Sequence, residues 1–238
     1  MSFYGYYEYV PVYKKREKAK KTIEKLKKKN PDISPVIIEG NKIAKNWWGI
    51  AWNKNLEKYA DLKNRISRGK SYLKNGFVVD LKIEKGEIKA LVQGTGSKPY
   101  EVNISIDKLE NVKWKKILEF CNHKIDTIET LIEGNFPKEF QKLFNESQYG
   151  MFPNPKQIHF KCSCPDSARV CKHIAAVLYG TGARIDEDPL LFFKLRDIDF
   201  QDLIKKSMEE KMQSMLKNAD KKSKRVIEDS QALDLFGL

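Results

Sequence analysis

Three of the four cysteines and one of the three histidines in this 238-residue chain fall within twelve consecutive positions, as Cys162, Cys164, Cys171 and His173. Residues 157–164 alternate like a strand, so Phe160, Cys162 and Cys164 point one way and His159, Lys161 and Ser163 the other. Residues 165–170 read as a loop. Cys171-Lys172-His173 then opens an apolar helical run, 174–179, which Gly180-Thr181-Gly182 is expected to stop. Two thiols from a strand thereby converge with a thiol and an imidazole from a helix start. The pattern C-x-C-x6-C-x-H suits one tetrahedral zinc ion, and four protein ligands leave no open position for water, so the expected site is structural. Buried core thiols or a redox pair are the competing readings. His159, on the opposite strand face, and Cys121, beside His123 in a predicted helix, are expected to stay outside the site.

The rest of the chain reads as α+β. An aromatic opening, 3–13, leads into a basic helix in which Ala19, Ile23 and Leu26 form a narrow apolar stripe. A second helical pattern spans about 43–60, with Ile43, Trp47, Ile50, Ala51, Leu56 and Tyr59 as its apolar face; Trp47, Trp48 and Trp52 read mainly as core anchors, with Trp48 off the main stripe and placed to cover a neighbouring strand or partner. From Phe77 the period changes to two, and residues 77–106 predict a three-stranded antiparallel meander with one buried face, broken by a loop at 94–97. Helical patterns follow at 109–122, 125–133 and 137–144. Asp186-Glu187-Asp188 before Pro189 reads as the start signal of a helix over 190–195. The expected organisation is an aromatic and basic arm (1–30), an α+β domain (31–144), a polar connector (145–156), a small strand-loop-helix zinc finger with a flanking helix (157–200) and a basic helical tail with an acidic and apolar end (201–238). N-terminal helices are expected to pack on the meander, with the finger and C-terminal helices following it. The tail's last ten residues, with Leu233, Leu235 and Phe236, read either as a frayed end or as a short docking motif.

Charge is unevenly spread. Lys and Arg number 45 against 32 Asp and Glu, a net of +13. Residues 14–30 carry +8 and residues 205–225 carry +5, while 31–204 carry only +4. Basic arms on a near-balanced body fit approach to a polyanion, although solvated lysine-rich helices would read the same way. The candidate phosphate contacts are Lys14, Lys15, Arg16, Lys20 and Lys21 in the first arm, and Lys161, Arg169 and Lys172 around the metal ligands. No run of apolar residues is long enough to span a bilayer, and the N-terminus lacks the features of a secretory leader, so no membrane contact and a cytoplasmic location are expected. In that setting clustered cysteines argue for metal, not for a disulfide framework.

At Cys162, Cys164, Cys171 and His173 the chain resembles the SWIM zinc-finger family, which the same ligand spacing defines. The stretches 36–40 (VIIEG), 47–52 (WWGIAW), 68–72 (RGKSY), 90–94 (ALVQG), 160–166 (FKCSCPD) and 171–180 (CKHIAAVLYG) are similar to prokaryotic members. The resemblance covers roughly residues 4–200, with one departure at Ser167, where similar proteins often carry an aromatic. It implies a strand-strand-helix finger around one zinc and a nucleic-acid or protein binding module that works with a Swi/Snf-type helicase-like ATPase, nucleoid-associated in a prokaryote.

No enzyme motif competes with that reading. Gly69-Lys70-Ser71 ends like a phosphate-binding loop, but Asn64 stands where that loop needs a glycine, and residues 72–76 run toward a turn. H-E-x-x-H and G-x-S-x-G are absent. The expected function is therefore a non-enzymatic zinc protein that binds nucleic acid, DNA first, as accessory subunit of such an ATPase. The alternative is a protein-protein adaptor of the same assembly without nucleic-acid contact.

Overall fold

In the computed structural model, residues 10–57, 63–115 and 150–199 are described, with the single positions 133, 205, 209, 212, 213 and 215–217. The aromatics at 3–9, Cys121, His123, Tyr59, most of the helical patterns between 116 and 149 and the end of the tail lie outside these residues. The chain divides into two units, 1–199 and 200–238. In the second, the described positions are helical, and Met212, Met215 and Leu216 are exposed.

Four antiparallel strands form one sheet in the order β1 (Val78–Glu84), β2 (Glu87–Val92), β3 (Tyr100–Ile106) and β4 (Ile158–Cys162). The first three are the expected meander. The sheet has four strands rather than three because the strand that ends in Cys162 pairs with β3, placing Cys162 opposite Val102 and Phe160 opposite Ile104. Beyond the last pair the Ser163 N–H donates to the Glu101 carbonyl (3.0 Å), and the Glu101 N–H donates to Ser163 Oγ (2.9 Å). One row across the sheet reads Leu81, Ala90, Val102, Cys162. Paired residues share a face, so Cys162 points to the same side as Leu81.

A helix covers that side. α4 (Lys172–Glu187) packs against α2 (Trp47–Glu57), α3 (Lys63–Lys74) and the sheet. It runs straight through Gly180 and Gly182, contrary to the expected stop, because tertiary packing outweighs the roughly 1 kcal/mol helix penalty of each glycine. A Cβ on Gly180 would lie 3.0 Å from Leu81 Cδ1, and one on Gly182 2.5 Å from Asn53 Oδ1. Both glycines are where neighbours come closest to the helix. β1 is buried on both faces over 78–81, not on one, since it also meets α1 (Val12–Lys29) and α5 (Leu190–Leu195).

α2 buries Ala51 and Leu56 of the expected stripe, and its inward face extends to Trp48, which that stripe left out. Trp48 and Trp52 are fully buried, whereas Ile50 is 40% exposed. Trp52 Nε1 donates to the Leu178 carbonyl (2.8 Å), and the Trp48 ring packs on Phe192 and Phe193 of α5. A buried indole N–H needs an acceptor, and the α4 backbone supplies one. The acidic group at 186 also works elsewhere than expected. The buried Asp186 accepts from the backbone N–H groups of Lys45 and Asn46 (2.7 Å each) and so caps the entry to α2 from the end of α4. Asp188 takes the expected role, accepting from the Leu190 N–H (3.0 Å) at the start of α5.

Residues 151–153 of the expected polar connector are buried. Phe152 packs on Phe192 with ring centroids 4.9 Å apart, and Asn55 Nδ2 donates to the Pro153 carbonyl (2.8 Å). The next residues form a short 3-10 turn, Pro155–Gln157, closed by a capping box between Asn154 and Gln157 that aims the chain into β4.

Candidate metal centre

The ligand atoms of Cys162, Cys164, Cys171 and His173 all lie within 4.8 Å of one another. Cys162 ends β4, Cys164 follows two residues later on the same side, and Cys171 is the N-cap of α4 with His173 in its first turn. The strand supplies two sulfurs and the helix start supplies a sulfur and a nitrogen. His173 Nδ1 is 3.9 Å from Cys162 Sγ and 3.8 Å from Cys171 Sγ. A tetrahedron with metal–sulfur bonds of about 2.3 Å and metal–nitrogen bonds of about 2.0 Å has sulfur–nitrogen edges of about 3.5 Å, so the donors already stand near ligand separation. The cluster could hold one metal ion, and its donor set fits zinc.

Three thiols this close cannot all ionise unaided. The Cys162 thiol donates to the Cys171 sulfur, and that hydrogen bond, with help from His173 and the Ile174 N–H, holds the Cys171 pKa down to about 4 against the opposing effect of burial. The same bond, with burial, pushes the Cys162 pKa up, and burial raises that of Cys164. Without metal the cluster therefore gathers one negative charge at the N-terminus of α4, where the helix dipole favours an anion. A divalent cation removes the penalty on the other two thiolates.

The imidazole is fixed by aromatic packing. Its ring centroid is 4.5 Å from that of Tyr100 and 5.4 Å from that of Tyr72, while the buried Nε2 has no hydrogen-bond partner among the described residues. Ligating histidines commonly donate the second N–H to an acceptor; here two tyrosine rings set the orientation. Gly94 closes the remaining side, since a Cβ there would lie 2.4 Å from the Tyr100 ring and 3.5 Å from His173 Nε2. Arg65 of α3 ties down the ligand loop through a 3.0 Å ion pair with Asp166, and Arg169 donates to the Pro155 carbonyl (3.0 Å). His159 stands outside the cluster, 3.1 Å from Asp107.

The candidate phosphate contacts fall into two groups. Lys161 is exposed on the face of β4 away from the thiols, Arg169 is exposed on the ligand loop, and Lys172 places its ammonium 5.6 Å from the Tyr72 ring centroid. Lys14, Arg16, Lys20 and Lys21 are exposed on α1 and Lys15 is half-buried. Arg16 donates to Asn75 and Lys21 pairs with Glu17; Lys14, Lys15 and Lys20 have no ion pair among the described residues. A single loop links α1 to the His173 imidazole. Lys18 donates to the carbonyls of Thr95 and Gly96 and Thr22 to Gln93 Oε1, all close in sequence to the Gly94 and Tyr100 that pack on His173.

A third basic element escapes the sequence reading. α3 carries Lys63, Arg65, Arg68, Lys70 and Lys74 and no acidic residue. Averaging charge over 31–204 hides this run; a twelve-residue window would have found it.

No family model matches the chain, and no solved structure matches it. Among curated proteins it is similar to the uncharacterized protein Rv2102 of Mycobacterium tuberculosis, at 32% identity over 163 residues, which cover 68% of this chain and 58% of the relative. The chain thus spans less than two thirds of that relative's length. Among the described residues no helix is long and apolar enough to cross a membrane.

Proposed function

We propose that this chain is a non-enzymatic zinc-binding protein of the SWIM type that binds nucleic acid, DNA first, as an accessory subunit of a Swi/Snf-type helicase-like ATPase. Cys162, Cys164, Cys171 and His173 hold one structural zinc ion. The observation that carries the nucleic-acid part is the placement of α1: this lysine-rich helix is anchored on the 93–96 loop, and the same loop packs against the metal-ligating imidazole. Cations on a helix and cations around a rigid metal centre then belong to one folded body. Phosphate contacts of this kind give sequence-tolerant affinity that depends on counterion release. The ATPase partner rests on the resemblance of the ligand motif and its flanking stretches.

Fluorescence anisotropy of labelled duplex DNA, single-stranded DNA and RNA against the zinc-loaded full chain tests the reading. Affinity is expected to fall steeply with salt. Lys14→Gln, Lys15→Gln and Lys20→Gln together should lower the slope of log K against log salt by about 2 to 3, roughly 0.9 for each phosphate no longer neutralised. Absence of binding at about 50 mM salt, where counterion release favours it most, would remove nucleic acid from the proposal. Capture of an ATPase that persists after nuclease digestion would then favour the adaptor reading.

A further inference from the structure

A cleft of about 330 Å³ opens between α2, α3, α4 and the 41–44 segment. Four lysines line it: Lys42 from the segment, Lys54 from α2, and Lys70 and Lys74 one turn apart on α3. Glu57 is the one carboxylate in the lining, and it pairs with Lys70 at 2.9 Å. Lys42, Lys54 and Lys74 have no ion pair among the described residues. Like charges gathered in a concavity repel one another and concentrate a positive field, and an anion of more than one charge relieves both effects.

Tyr179 of α4 supplies a second observation. The Lys70 ammonium lies 4.9 Å from its ring centroid, and the phenol oxygen is buried without a hydrogen-bond partner among the described residues. Burial raises the Tyr179 pKa, so the hydroxyl keeps its proton and remains a donor. Burial is the largest single influence on the Lys70 ammonium and disfavours it, but the hydrogen bond and charge of Glu57 and the neighbouring Tyr179 together outweigh burial and raise its pKa. An acceptor oxygen brought in beside Lys70 would give this buried donor a partner.

We infer that this cleft is a phosphate-binding site, taking a phosphate monoester or diester whose oxygens are held by Lys54, Lys70 and Lys74 with the Tyr179 hydroxyl as a neutral donor. Ammonium groups converging from separate elements suit the tetrahedrally spread oxygens of a phosphate better than a planar carboxylate. Ile43 and the partly exposed Ile50 form an apolar wall beside the lysines, a place for the part of the ligand that carries the phosphate. Nucleic-acid binding at α1 is not required for this site, and the phosphate could come from a small phosphorylated compound or from a nucleic-acid backbone.

Isothermal titration calorimetry on the zinc-loaded full chain separates the outcomes, with pyrophosphate, ATP, a short thymidine oligonucleotide and citrate as probes at about 50 mM salt, where screening is modest. Saturable one-to-one binding of pyrophosphate or ATP is expected, weakened about tenfold or more in the Lys70→Gln, Lys74→Gln variant and unchanged in Lys85→Gln, Lys89→Gln, two exposed lysines outside the cleft. Glu57→Gln, which removes the competing carboxylate, should tighten binding, a gain that misfolding cannot mimic. If only the oligonucleotide binds and it loses affinity in Lys70→Gln, Lys74→Gln, the phosphate is that of a nucleic-acid backbone. Binding that ignores these two lysines, citrate binding as tight as pyrophosphate, or no binding by any probe overturns the inference.

Discussion

Stripping the metal with a chelator is expected to melt the body of the protein, and not only the loop that carries the ligands. Two of the four ligands belong to the first turn of α4, the helix that packs on α2, α3 and the sheet, and a third ends the edge strand β4. Losing the ion leaves three thiols sharing one negative charge at the point where strand and helix meet. Structural zinc contributes about 10–16 kcal/mol in small finger peptides, whose whole fold depends on it. In a larger core a loss of about 5 kcal/mol is a fair expectation, which corresponds to a fall in Tm of about 10–20 °C. Scanning calorimetry with and without chelator measures it, alongside elemental analysis that should find one zinc per chain. Cys164→Ser should move Tm in the same direction. Because the raised thiols of Cys162 and Cys164 must lose their protons to ligate, the metal-linked stability is present at neutral pH and lost as pH falls. A Tm indifferent to chelator would show that the core holds α4 without the ion.

Gly69→Ala should destabilise the fold by about 1–3 kcal/mol, although alanine is the better helix former by about 1 kcal/mol. Gly69 lies in the middle of α3, and a Cβ there would stand 2.4 Å from Ala175 Cβ and 2.8 Å from the Ala175 carbonyl carbon. The obstacle is partly backbone, so no rotamer change relieves it, and α3 must move away from α4 close to the metal ligand His173. Urea denaturation checks the sign. An unchanged or raised midpoint would mean that the two helices separate at little cost. The same contact explains why Gly69-Lys70-Ser71 is no phosphate-binding loop: the glycine is the point where two helices cross.

The Cys162, Cys164, Cys171 and His173 cluster was legible in the sequence because its geometry is local. Alternation along one strand puts Cys162 and Cys164 on one side, and a helix start brings Cys171 and His173 together, so parity and one helical turn define the donor set. The meander was legible for the same kind of reason. Its hydrophobic period and its turn at 85–86 are properties of neighbouring residues, and Ile88 and Ile104 face one another as that period requires.

Where partners were distant, local patterns misled or were silent. The sheet gained a fourth strand because Val102 pairs with Cys162, sixty positions away, and nothing in either segment encodes that register. α2 turned Trp48 inward and Ile50 outward because a carbonyl of α4 accepts from Trp52 and α5 receives Trp48. α4 continued through Gly180 and Gly182 because neighbouring elements fill the space a side chain would occupy. The α3 lysines became part of a cleft only when α2 and Tyr179 closed around them. The sequence by itself determined the ligand set, the strand period and the basic segments, each set by backbone geometry over a few residues. Tertiary structure alone decided the fourth strand, the inward face of α2, the length of α4 and the lysine cleft, because each depends on close packing between segments that the chain brings together only on folding.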